Sequence, residues 1–110
     1  FNPSYERMAV DAEPEALDTS FTHERRDVKR YVSVTRDRVK QLVYVTFRYV
    51  EESVAGPAKE TTVNFTMRWF WRYELEHLLH RAGFKDVTIY GDFDRSPFGS
   101  NSSDLIVVAR

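Results

Sequence analysis

Between about Ala16 and Trp69 the side chains alternate in character through four successive runs, and nothing else in this chain limits its fold so tightly. In the first run Leu17, Thr19 and Phe21 alternate with Asp18, Ser20 and Thr22. The second sets Val28, Arg30, Val32 and Val34 against Lys29, Tyr31, Ser33 and Thr35. In the third, Gln41 to Glu51, one face carries Val43, Val45, Phe47 and Tyr49, and the other carries Leu42, Tyr44, Thr46, Arg48 and Val50. The fourth, Thr61 to Trp69, opposes Val63, Phe65, Met67 and Trp69 to Thr62, Asn64, Thr66 and Arg68. A period of two belongs to the extended strand, whose successive side chains point to opposite faces. β-Branched and aromatic residues fill these runs, as half-buried strands require. Turn formers at 36–40 and 53–58 join the later runs, and such short links make an antiparallel meander the simplest topology.

Both flanks change period. Asn2 and Pro3 are suited to open a short helix, with Tyr5, Met8 and Ala9 on one side of it. Asp11 to Pro14 then read as a polar linker in which Pro14 ends any helix. After the sheet, the spacing predicts a helix over 72–82 with Leu75, Leu78, Leu79 and Ala82 on one stripe and Glu74, Glu76, His77 and Arg81 outward. Gly83 supplies a left-handed stop, and Phe84 can pack back on the last turn. Trp71 stands where a capping Ser, Thr or Asp is expected. Burial of the leucines, about 1.5–3 kcal/mol each, outweighs a missing cap worth ~1 kcal/mol. Two apolar strands follow, Val87 to Tyr90 and Leu105 to Ala109, separated by a loop from Gly91 to Phe98 and a flexible end at 99–103. The second of these strands is an unbroken apolar run, a pattern usual for strands covered on both faces. The expectation is an α+β fold in one domain, residues 1–110: an antiparallel β-sheet of about four strands, one main helix and a C-terminal β-hairpin. Its parts are a lead-in and linker at 1–15, the sheet at 16–69, and the helix with its hairpin at 70–110.

Composition narrows the function. Sixteen Lys and Arg against seventeen Asp and Glu give a net charge of −1, which disfavours a nonspecific polyanion binder. With 42% hydrophobic and 30% charged residues the chain is globular rather than disordered in type. The lack of cysteine excludes disulfides, thiolate metal sites and thiol nucleophiles. No apolar run has the length of a membrane span or a signal-peptide core, so no membrane partner and a cytoplasmic location are expected. A first residue of Phe1 rather than Met suits a processed or partial product.

The closing residues carry a resemblance. Residues 81–84 (Arg-Ala-Gly-Phe), 90–94 (Tyr-Gly-Asp-Phe-Asp), 96–98 (Ser-Pro-Phe) and 105–110 (Leu-Ile-Val-Val-Ala-Arg) follow a helix, strand, long loop, strand order. This resembles the carboxy-terminal end of class I S-adenosylmethionine-dependent methyltransferases. Phe1, Asn2 and Pro3 resemble that family's exit from its fifth core strand. The alternating runs are similar to an antiparallel sheet inserted before its last helix, where it walls the substrate and often joins dimer contacts. The resemblance therefore implies the back half of a Rossmann-like domain, the acceptor side of an enzyme acting on a small molecule. Neither a Gly-rich strand–turn–helix nor an acidic residue closing a following strand is present, and those features hold the cofactor in Rossmann-like domains. S-adenosylmethionine is thus expected in the full-length protein, held by a missing N-terminal half, and neither cofactor binding nor activity is expected in these residues alone. Core-facing strands left uncovered would pair with a second copy, so a homodimer is expected. The rival class is a noncatalytic dimerisation or ligand-binding module.

Candidate contact residues follow from the same resemblance. Tyr5 and Arg7 fall just after the implied fifth strand, which commonly faces the active cleft. Arg68, Trp69 and Trp71, with Phe70 and Arg72, form the densest aromatic–cationic cluster, able to wall a pocket by stacking and cation–π contact. Phe70 is read as packing. Asp92, Asp94 and Arg95 sit in the loop before the last strand, where Arg95 would clamp an anion and a carboxylate would act as base. The bland alternative for the carboxylates is local turn hydrogen bonding. His77 and His80 lack the further ligands a metal needs. A basic stretch at Arg25–Tyr31 beside Tyr44, Phe47 and Tyr49 raises a nucleic-acid surface, opposed by the interleaved acids and the net charge. No catalytic residue is assigned.

Overall fold

A computed structural model describes residues 4–110. The elements run α1 (Tyr5–Met8), β1 (Ala12–His23), β2 (Arg26–Asp37), β3 (Leu42–Ser53), β4 (Gly56–Arg68), α2 (Arg72–Arg81), β5 (Val87–Tyr90) and β6 (Ile106–Ala109). Strands β1 to β4 form a four-stranded sheet in sequence order, every pair antiparallel, and β5 pairs with β6 as a separate two-stranded sheet. The fold is α+β: one meander, one main helix and a terminal hairpin. The reading of 1–3 as a strand exit and helix start lies outside the described residues. The chain divides into two compact units, one of Met8–Trp69 and the other of the residues to Arg7 together with Phe70–Arg110.

In the sheet unit, register places Val34, Val45 and Phe65 side by side, and Val32, Phe47 and Val63 beside them. Because paired residues share a face, the odd-numbered residues of β3 and β4 make the apolar side. Its core is Met8, Val43, Val45 and Trp69, with Val32, Val34, Phe47 and Phe65 packed against them. The opposite face is held by charge: Arg48 bonds Glu15 and Glu60 at 2.7 Å each, and its guanidinium lies over the Tyr31 ring at 4.6 Å.

The strands are longer than the alternation places them. Glu24 and Arg25 both take positive φ (48° and 64°), the two-residue geometry whose twist matches a hairpin, so the β1–β2 ladder closes at His23 opposite Arg26. Ser53 pairs with Gly56 across a second two-residue link, after a register shift between Glu51 and Ser53 and without positive φ at Val54 or Ala55. Strand β1 also starts at Ala12, so the stretch read as a linker is strand and Pro14 lies inside it. An edge strand tolerates a proline whose missing N–H would face solvent, and the register shifts between Glu13 and Ala16.

In the other unit, α2 ends as a Schellman motif: Phe84 N–H donates to the Leu79 carbonyl at 3.1 Å and Gly83 N–H to that of His80 at 3.0 Å, with Gly83 at φ 105°. Two packing expectations are corrected. No α2 residue is buried, and Leu78 is 45% exposed, because within this unit the helix packs mainly on β5. The apolar run of β6 is not fully covered either: Ile106, Val107 and Ala109 are half-buried and Val108 is 39% exposed.

Candidate functional site

The loop from Gly91 to Leu105 folds on itself. Gly91 N–H donates to the Ser96 carbonyl at 2.8 Å, Asp104 N–H to that of Gly91 at 3.3 Å, and Gly99 N–H to Ser102 Oγ at 2.9 Å. Tyr90 and Pro97 form an antiparallel bridge across its neck. Such internal bonding is how a compact loop keeps one conformation. It returns Phe98, Gly99 and Ser100 to the start of α2, where they line a cleft of about 470 Å³ with Ser4, Tyr5, Glu6, Trp71 and Arg72.

Aromatic and cationic chemistry dominate this cleft. Tyr5 is 81% exposed and Trp71 38%. The Arg72 guanidinium lies 5.1 Å from the Tyr73 ring centre and 5.7 Å from that of Phe98, within cation–π range of both. At the helix start, Trp71 N–H donates to the Glu74 carboxylate at 3.3 Å, so the side chain of the third helical residue supplies the cap that Trp71 does not.

The candidate contact residues do not all come together. Tyr5 and Trp71 meet in the cleft, and Arg7 is not among its lining residues. Asp92 lines a neighbouring hollow of about 400 Å³ that shares Gly99 and Ser100 with it. Asp94 is occupied locally: its carboxylate accepts from Ser96 N–H at 2.8 Å, and the Ser96 side-chain and backbone bonds hold its pKa below the usual carboxylate range. That engagement makes Asp94 a poor proton acceptor and a good turn former. Asp92 accepts from Phe93 N–H at 2.6 Å, and Arg95 turns the loop at φ 66°. The structure thus favours the turn reading for both aspartates.

Trp69 needs correction. It is 3% exposed, a member of the sheet's core and not a pocket wall, and its Nε1 has no hydrogen-bond partner among the described residues. Arg68 is exposed and donates to the Lys40 carbonyl at 2.7 Å, fastening the β2–β3 turn. Arg72, part of the aromatic–cationic cluster, lines the cleft, and Phe98 is a cleft residue that the sequence alone does not single out. Only the loop's own hydrogen bonds bring Phe98 there, because it lies far from α2 along the chain.

No cluster of three or more His, Asp or Glu side chains suited to a metal occurs among the described residues, and no helix is long and apolar enough to cross a membrane. The first turn of α2 follows Trp71 rather than a Gly-rich turn, and a carboxylate already occupies its N–H end. No protein-family model matches the chain, and no curated protein matches it.

Proposed function

We propose that this chain is the acceptor side of an S-adenosylmethionine-dependent methyltransferase acting on a small molecule. The observation that carries this reading is the convergence of Tyr5, Trp71, Arg72 and Phe98 on one cleft. Phe98 belongs to the Ser-Pro-Phe stretch that carries the family resemblance, and Tyr5 falls just after the implied fifth strand. The order α2, β5, long ordered loop, β6 supports the same reading. S-adenosylmethionine would supply an activated methyl group to the acceptor, and residues other than these would hold it. What this chain contributes is placement. The rings of Tyr5, Trp71 and Phe98 offer flat apolar walls to a ring-bearing acceptor. Arg72, already stacked on aromatic faces, can hold an anionic or carbonyl substituent.

Two measurements test this. Calorimetric titration of S-adenosylmethionine into this chain alone is expected to show no stoichiometric binding, and tight binding would overturn the division of labour. In the protein that also carries the donor-holding half, Arg72→Ala and Trp71→Ala are each expected to raise the acceptor KM by about 2- to 30-fold, the equivalent of one lost stacking or cation–π contact. An unchanged KM in both variants would remove the cleft from the reaction.

A further inference from the structure

We infer that the ligand taken by this cleft is a small aromatic zwitterion, a ring that carries an ammonium and a carboxylate on one molecule. The inference rests on the acceptor reading of the cleft and adds a ligand class to it. Its basis is a pair of opposite charges in one aromatic hollow. Glu6 of α1 and Arg72 of α2 both line it, together with Tyr5, Trp71 and Phe98. Both charged residues are exposed, and neither side chain takes part in an ion pair or hydrogen bond among the described residues. The sheet treats its arginines differently: Arg26, Arg30, Arg36, Arg38 and Arg48 each pair with a carboxylate.

A ligand with a single charge satisfies half of this site. An anion drawn to Arg72 is repelled by Glu6, and a cation drawn to Glu6 is repelled by Arg72. A neutral ring laid over both would take them from water without partners, which costs more than the ring's own burial returns. The two charges also cancel at long range, so the cleft does not gather polyanions. A zwitterion answers each group. Its carboxylate suits the planar fork of the Arg72 guanidinium, and its ammonium suits Glu6 and the ring faces of Tyr5 and Trp71. Arg72 already lies over the Phe98 ring at 5.7 Å, so part of its ordering precedes the ligand. A volume of about 470 Å³ falls in the range of about 300–1,000 Å³ usual for small-molecule sites.

Three probes in a magnetic-resonance titration of this chain test the assignment: phenylalanine, its N-acetyl derivative without the ammonium, and its amide without the carboxylate. Phenylalanine is expected to shift the ring signals of Tyr5, Trp71 and Phe98 saturably, and each capped probe to bind about fivefold more weakly, the scale of one exposed ion pair. Glu6→Gln should abolish the preference over the N-acetyl probe alone, and Arg72→Gln the preference over the amide alone. Equal affinity for all three probes in the parent chain, or no saturable shift at these rings, overturns the proposal. The cofactor plays no part in these titrations, so the two readings fail separately. A zwitterion preference without methylation by the protein that carries the donor-holding half retires methyl transfer and keeps the site. Methylation of another acceptor there, with no preference among the probes here, does the reverse.

Discussion

At the scale of single residues, Gly91 shows how a site depends on one missing atom. It is buried at the neck of the loop, and a Cβ there would collide with Ser102 Oγ and stand 3.0 Å from the Pro97 carbonyl. The same residue accepts and donates the bonds that close the neck. Gly91→Ala is therefore expected to cost about 1–3 kcal/mol, the usual penalty of overpacking, read as a lower urea midpoint at unchanged slope. Wild-type stability in that variant would show that the loop yields at no cost. The contrast between Trp69 and Trp71 belongs at this scale too. Two residues apart in one aromatic cluster, they divide into a core anchor and a cleft wall. The period of two already puts Trp69 on the face of Val63, Phe65 and Met67, so its burial was legible. Trp71 lies beyond the strand, where that period no longer speaks.

Among elements, the four strands and α2 were legible because their periods are clean and Gly83 marks a stop. The start of β1 was not. Pro14 signals a break in most settings, and only its edge position makes it compatible with a strand. Once Ala12–His23 is a strand, Glu15 reaches across β2 to Arg48, an ion pair spanning three strands that no local pattern reveals. The hydrogen bond from Arg48 lowers the Glu15 pKa from its ordinary 4.5, and Arg48 itself is raised by the same partner. The folded chain then holds its proton less tightly than the unfolded chain does. The bridge's contribution is complete above about pH 4.5 and is lost as pH falls through the depressed folded-state value. Glu15→Gln is expected to lower the urea midpoint at neutral pH, with the gap to the parent narrowing in acid. A gap independent of pH would assign the effect to packing. Glu15 is exposed and Arg48 half-buried, so the effect should be small and salt-sensitive.

For the whole molecule, stability should be uneven in a way that follows from strand position. β3 is hydrogen-bonded on both sides and carries Val43 and Val45, 4% and 6% exposed, the centre of the small core. β5 and β6 have one partner each, and an isolated two-stranded hairpin is marginal in water. Overall class could be read from the chain because alternation and helical period are local properties. The cleft could not, since it depends on a loop whose hydrogen bonds join residues with no shared pattern. Exchange of amide hydrogens separates these regimes. The slowest amides are expected in β2 and β3, around Val32–Val34 and Val43–Val45, and those of β5 and β6 should exchange faster. Along β4 the rates should alternate: Val63, Phe65 and Met67 are protected through β3, whereas Thr62, Asn64 and Thr66 face outward in the single chain. If β5 and β6 instead exchange as slowly as β3, the terminal hairpin draws its stability from more than the β5–β6 ladder, and this ranking by strand position fails.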